Sequence, residues 1–194
     1  MLKGCSNLPA SRDSPNMSTT TYATPIDDQI TWREADHAKL LPAHLVAFLQ
    51  GGVTAPLGAR SVTSRPVIGV GIACRVNDMA DVRVLLPQHV NKPLLEAVAG
   101  GSAIAATFSR ARDHRSIQLK ASRACIEEAT LADYNEATRQ RAILADELME
   151  LGYTRVQADA YAFCGATDLV SLEFRPERVF SKSPGPGAGA ELQK

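Results

Sequence analysis

The chain of 194 residues sets 21 Lys and Arg against 21 Asp and Glu, with 45% hydrophobic and only 5% aromatic residues. That length suits one domain with a sizeable core. The zero net charge excludes a global field that would draw nucleic acid or an anionic membrane, so any anion site must be local. No stretch reaches the roughly 18 to 20 consecutive apolar residues of a membrane helix, and the first 25 residues lack the apolar centre of a secretion signal. The opening LKGC is not expected to be a lipoprotein signal, which needs an apolar run before it. Cys5, Cys74, Cys125 and Cys164 are far apart with no C-x-x-C spacing, which suggests a reducing compartment. The expected location is cytoplasmic.

Residues 1–25 are rich in Ser, Thr, Pro and Asn without apolar period, as in a disordered arm. LPAHLVAFLQGG predicts a first helix, with Pro42 in its first turn, Leu45, Phe48 and Leu49 as one stripe and Gly51-Gly52 as its stop. VTAPLGARSV (53–62) and RPVIGVGIACRV (65–76) read as a hairpin turning at Thr63-Ser64, and DVRVLLP (81–87) follows a turn at Asn77-Asp78. NKPLLEAVAGG predicts a second helix capped by Asn91, with Leu94, Leu95 and Val98 inward. SAIAATFS (102–109) and RSIQLKASRACIEEA (115–129) give two more strands. From Thr130 the period changes to 3.6, with a variant capping box to Asp133, a stripe of Ile143, Leu144, Leu148 and Leu151, and a stop at Gly152. RVQADAYAFCG fits a helix turn or a short strand, and LVSLEFRPERVFSK (169–182) closes the fold as a strand ended or bent by Pro176. The tail SPGPGAGAELQK (183–194) is expected to drift or to lie over a neighbour.

Five or six antiparallel strands with short helices between them argue for a small barrel with helical flaps. The GVG at 69–71 lies inside a strand and lacks the third glycine of a dinucleotide fingerprint. None of the four histidines, His37, His44, His89 and His114, stands near another at metal-ligand spacing, so no metal is expected. His114 has no Ser, Cys or carboxylate set beside it in a recognisable catalytic spacing. Arg60, Arg65 and Arg75 read as edge charges that discourage aggregation.

Residues 40–182 resemble the FMN-binding split barrels of the pyridoxamine 5'-phosphate oxidase family. The order that carries the likeness is a helix, the hairpin LGARSVTSRPVIGVG, VLLPQHVNKPLLEAVAGG, IAATFS, HRSIQLKASRA and SLEFRPERVF. The resemblance implies a mainly β protein with flanking helices, a six-stranded antiparallel split β-barrel over 26–182, and a flavin held between the two subunits of a homodimer. It places the flavin phosphate near Asn91 and Lys92, with Arg115, Ser116 and Gln118 at the pocket. Gly69, Val70 and Gly71 stand where the family often has a phosphate-binding arginine, so only backbone approaches there. Substrate-binding residues for pyridoxal phosphates have no counterpart, which leaves the small-molecule substrate open. The implied activity is that of an FMN-dependent oxidoreductase, with a non-catalytic haem- or ligand-binding protein as the alternative.

A flavin phosphate is a dianion and needs two or three charge-assisted donors. Lys92 in the first turn of a helix and Arg115 on a strand are candidates. His89 is placed to add a hydrogen bond. Ser116, Gln118 and Lys120 share one strand face and Arg115, Ile117 and Leu119 the other, so the two sets cannot both enter one pocket without a bulge.

Overall fold

The computed structural model describes residues 41–161 and 168–192. The expected arm over 1–25, His37, Cys5, Cys164 and the end of the RVQADAYAFCG segment lie outside them. Helices α1 (Ala43–Leu49), α2 (Lys92–Ala99), α3 (Leu131–Glu150) and α4 (Arg155–Tyr161) accompany nine strands. These are β1 (Ala55–Arg60), β2 (Pro66–Gly71), β3 (Ala73–Val76), β4 (Val82–Pro87), β5 (Ile104–Ser109), β6 (Ser116–Ala121), β7 (Cys125–Glu128), β8 (Leu169–Phe174) and β9 (Arg178–Ser181).

The mainly β architecture with flanking helices matches the sequence reading, but the described residues form nine strands rather than six. Three segments that alternate like single strands each break and pass from one sheet to another. The first breaks at Ile72, whose N–H donates to Leu85 O at 2.8 Å, leaving β2 in one sheet and β3 in the other. The second breaks between β6 and β7, and the third between β8 and β9, where Pro176 cannot donate to a ladder. The result is a five-stranded sheet, β2-β1-β5-β6-β9, and a four-stranded sheet, β3-β4-β8-β7, each fully antiparallel.

One core lies between the sheets. Leu57, Phe108, Ile117 and Leu119 from the first meet Cys74, Val82, Val84, Leu86, Leu172 and Phe174 from the second. Leu45, Phe48 and Leu49 of α1 and Leu94, Leu95 and Val98 of α2 join the same cluster. Gly71 lets the sheets approach, since a Cβ there would meet Val84 Cγ1 at 2.5 Å. The far side of the four-stranded sheet is buried too, with Ile72, Ala73, Leu85 and Leu169 under Ala137 of α3.

Helix α3 is anchored by polar groups more than by its apolar stripe, of which Leu144 and Leu148 are buried while Ile143 and Leu151 remain exposed. Its capping box is present: Asp133 N–H donates to Thr130 Oγ1 at 3.3 Å, and Thr130 N–H and Oγ1 both donate to Asp133 Oδ2 at 2.8 Å. The same carboxylate, 0% exposed, accepts from Arg75 Nη1 at 2.8 Å and Arg83 Nε at 3.1 Å. Arg75 is therefore no mere edge charge; it ties β3 to α3.

Side-chain amides and the tail close the open strand edges. Gln140 of α3 accepts from Cys74 N–H at 3.0 Å and donates to Cys74 O at 2.6 Å, and Gln50 accepts from Val76 N–H at 2.8 Å, both along β3. Along β9, Ser181 N–H donates to Ala190 O at 3.0 Å and Leu192 N–H to Val179 O at 2.8 Å. The Gly- and Pro-rich tail, as far as Leu192, thus folds back on its own chain and packs Leu192 against the core. Cys74 is free, and burial first, then Glu136, pushes its thiol pKa far up. Cys125 is disulfide-bonded, which the cysteine spacing does not signal and which runs against the expected reducing compartment.

Candidate functional site

Asn91 precedes α2 and is 1% exposed. Although it holds the capping position, its side chain makes no cap hydrogen bond. The amide turns to β2 instead: Oδ1 accepts from Val70 N–H at 2.8 Å, while Nδ2 donates to Val70 O at 3.2 Å and Pro87 O at 2.7 Å. Asn91 acts as a one-residue strand on the free edge of β2, and its side chain is not open to a ligand. Gly69 serves this clasp, because a Cβ there would run into Asn91 Oδ1 and stand 2.6 Å from Leu94 Cδ2. The close approach that the glycines permit is therefore made by α2 and by Val84, within the protein.

Lys92 is exposed beside a carboxylate. Asp168 accepts from His89 N–H at 3.2 and 3.3 Å and contacts the His89 ring nitrogen Nδ1. That ring contact first, with the charges of His89 and Lys92 adding, holds the Asp168 carboxyl below its ordinary range. A negative group already sits where the sequence reading placed a phosphate. Lys92 and β6 also stand apart in the sheet order: α2 clasps β2 at one end, and β6 is the third strand along from it.

Arg115 precedes β6 and lies at the α1 end, its guanidinium 5.1 Å from the Phe48 ring centroid beside that of Arg110 at 5.7 Å. Ser116 is buried; its hydroxyl donates to His114 O at 2.9 Å and bonds the Ser109 hydroxyl at 2.8 Å, and its N–H donates to Ser183 Oγ at 3.1 Å. These contacts make Ser116 a structural tie. The expected division of β6 holds, with Ile117 and Leu119 in the core and Gln118 and Lys120 on the opposite face. Gln118 Nε2 donates to its cross-strand neighbour Thr107 Oγ1 at 3.0 Å.

That opposite face is the outer side of the five-stranded sheet, and no helix of the described residues covers it. The register sets two rows across it. One runs Val70, Pro56, Thr107, Gln118, Phe180 and the next Ile68, Gly58, Ala105, Lys120, Arg178. At the β2 side Ile68 is 75% and Val70 46% exposed. In the middle the side chains are small, and a Cβ built on Gly58 would meet nothing within 4 Å. At the β9 side the Phe180 ring, 8% exposed, lies under Lys120 Nζ at 4.7 Å, the Arg178 guanidinium at 4.8 Å and Lys182 Nζ at 5.5 Å. The face is thus a shallow valley, apolar at one rim, cationic at the other, with an amide and a hydroxyl between. Of the predicted site residues it gathers Gln118 and Val70; it adds Lys120, Arg178, Lys182 and Phe180. The signal for these was the alternation of Lys120 with Gln118 and of Arg178 with Phe180 and Lys182, which places each set on one face.

No protein-family model and no curated protein matches the chain. Among solved structures it is similar to HupZ from Group A Streptococcus, at 15% identity over 77% of this chain and 100% of that one, with a TM-score of 0.48. It is also similar to a pyridoxamine 5'-phosphate oxidase-related, FMN-binding protein from Nostoc punctiforme, at 10% identity over 70% of this chain and 78% of that one (TM-score 0.40). A third likeness is to HutZ, the haem storage protein from Vibrio cholerae, at 14% identity over 75% of this chain and 94% of that one (TM-score 0.41). What this chain holds is read from its own residues. Among the described residues no group of three or more His, Cys, Asp and Glu is placed to hold a metal, and no helix is long and apolar enough to cross a membrane.

Proposed function

We propose that this protein is an FMN-binding, oxidoreductase-like protein of the pyridoxamine 5'-phosphate oxidase-related type, with the flavin on the outer face of the five-stranded sheet of a homodimer. The observation that carries this reading is the uncovered valley, with three cations around Phe180 on a chain of zero net charge. A dianionic phosphate suits Lys120, Lys182 and the guanidinium fork of Arg178. A planar ring suits the small residues Gly58 and Ala105, and Gln118 with Thr107 offers donors and acceptors to its polar edge. Ile68 and Val70 supply an apolar rim that a second copy would cover. When bound, the flavin supplies the hydride or electron chemistry, while the chain's residues bind, orient and exclude water.

The purified protein is expected to take up FMN, with a native mass of two chains and two flavins. Lys120→Ala and Lys182→Ala should each weaken FMN binding about tenfold or more by fluorescence titration, since charge-assisted hydrogen bonds contribute about 1.5–3 kcal/mol. Riboflavin, which lacks the phosphate, should bind both variants like wild type. A Soret band on adding haem, with no response to FMN, would establish the haem-binding alternative and overturn this reading.

Gly58→Phe provides a test without a charge change. The side chain would project into open space, so the thermal melt should stay within a few degrees of wild type while FMN uptake is lost. Unchanged FMN affinity in this variant would move the ligand off the valley.

A further inference from the structure

Glu191 holds Arg178 as a phosphate would. Its Oε1 accepts from Arg178 Nε at 2.7 Å and its Oε2 from Nη2 at 2.8 Å, a two-pronged pair. Glu191 is also the bridge partner of Phe180, so its side chain lies on the same outer face as the cation cluster. The segment that brings it there turns back through Gly185, Gly187 and Gly189, at φ 117°, 88° and 89°, backbone that residues with a Cβ rarely adopt. It is held by the bonds of Ser181 and Leu192 to Ala190 and Val179 described above, by Gly189 N–H donating to Ser181 O at 2.8 Å and by Leu192 against the core, and its other residues are mostly exposed.

We infer that this segment is a competitor built into the chain: Glu191 occupies Arg178 until an anionic ligand displaces it, so anion binding and docking of residues 187–192 exclude each other. The inference rests on the flavin reading above. A carboxylate and a phosphate require the same guanidinium fork, and a carboxylate left among these cations repels a dianion. The ion pair itself is solvent-exposed and contributes little, while undocking the segment also breaks its backbone bonds to β9 and withdraws Leu192 from the core.

The test titrates FMN and riboflavin into full-length wild type and Glu191→Gln, which keeps the shape and removes the charge. Wild type should bind FMN about three- to fivefold more weakly than the variant, the range a surface ion pair allows, with riboflavin affinity equal in both. In wild type the Ser181 and Leu192 amides should exchange faster with solvent once FMN is added. Equal FMN affinity in the two proteins, or amides that become more protected, would overturn the competitor while leaving the flavin site standing. FMN binding by the variant alone would support it. Failure of both proteins to bind FMN would remove the flavin site and the competitor with it.

Discussion

Asp133→Ala is expected to destabilise the protein by about 3–5 kcal/mol, the cost of removing one partner from a buried ion pair. For a chain of this size that is a fall in Tm of roughly 6–20 °C. The carboxylate ends the α3 capping box and is the shared partner of Arg75 and Arg83, so its loss leaves two guanidinium groups and the Thr130 N–H facing an apolar methyl. Urea denaturation of the variant measures the loss directly.

The same group predicts an acid dependence. Burial alone would raise the Asp133 pKa, but the Thr130 N–H and the two arginines outweigh it and hold the carboxyl at about 2. Asp113 is likewise held at about 2, chiefly by its hydrogen bond from Arg110. Folded values lowered from 3.8 mean stability that is fully present above about pH 4 and is lost as pH falls toward 2. Asp133→Asn should be less stable at pH 7 and should lose stability less steeply between pH 4 and 2. A slope equal to that of wild type would show that Asp133 does not govern the acid limb.

Asn91→Ala is expected to cost about 2–4 kcal/mol, because three hydrogen bonds to backbone vanish from a buried position and a cavity replaces the amide. Asn91→Asp should not rescue it. A carboxylate still accepts from Val70 N–H but cannot donate to Val70 O or Pro87 O, and it is charged where the amide was neutral. Faster exchange of the Val70 amide in either variant would locate the damage at β2; unchanged exchange with a normal melt would mean that the clasp contributes little.

Local chemistry was well written in the sequence. Pro42, the apolar stripe of α1 and the Thr130–Asp133 box name their helices because each signal lies within a few residues of its partner. Strand breaks were not, since alternation of period two runs on through Ile72 and through Ser122–Ala124 while the backbone changes sheets. The site followed the same rule. That Gln118 and Lys120 share a face is local geometry, whereas their meeting with Phe180 and Arg178 depends on the β6–β9 register, set by chain 60 residues away. Asn91 misled for a related reason: its sequence context offers a helix cap, and only the packing of α2 on Gly69 shows the amide a better partner.

The amides of Asn91, Gln140 and Gln50, with the returning tail, take up backbone hydrogen-bonding positions at Val70 of β2 and along the outer margins of β3 and β9. Among the described residues, the β3 and β9 ends of the sheets therefore offer an incoming chain little to pair with. Copies of this protein that meet at those ends cannot propagate ribbon onto ribbon without limit.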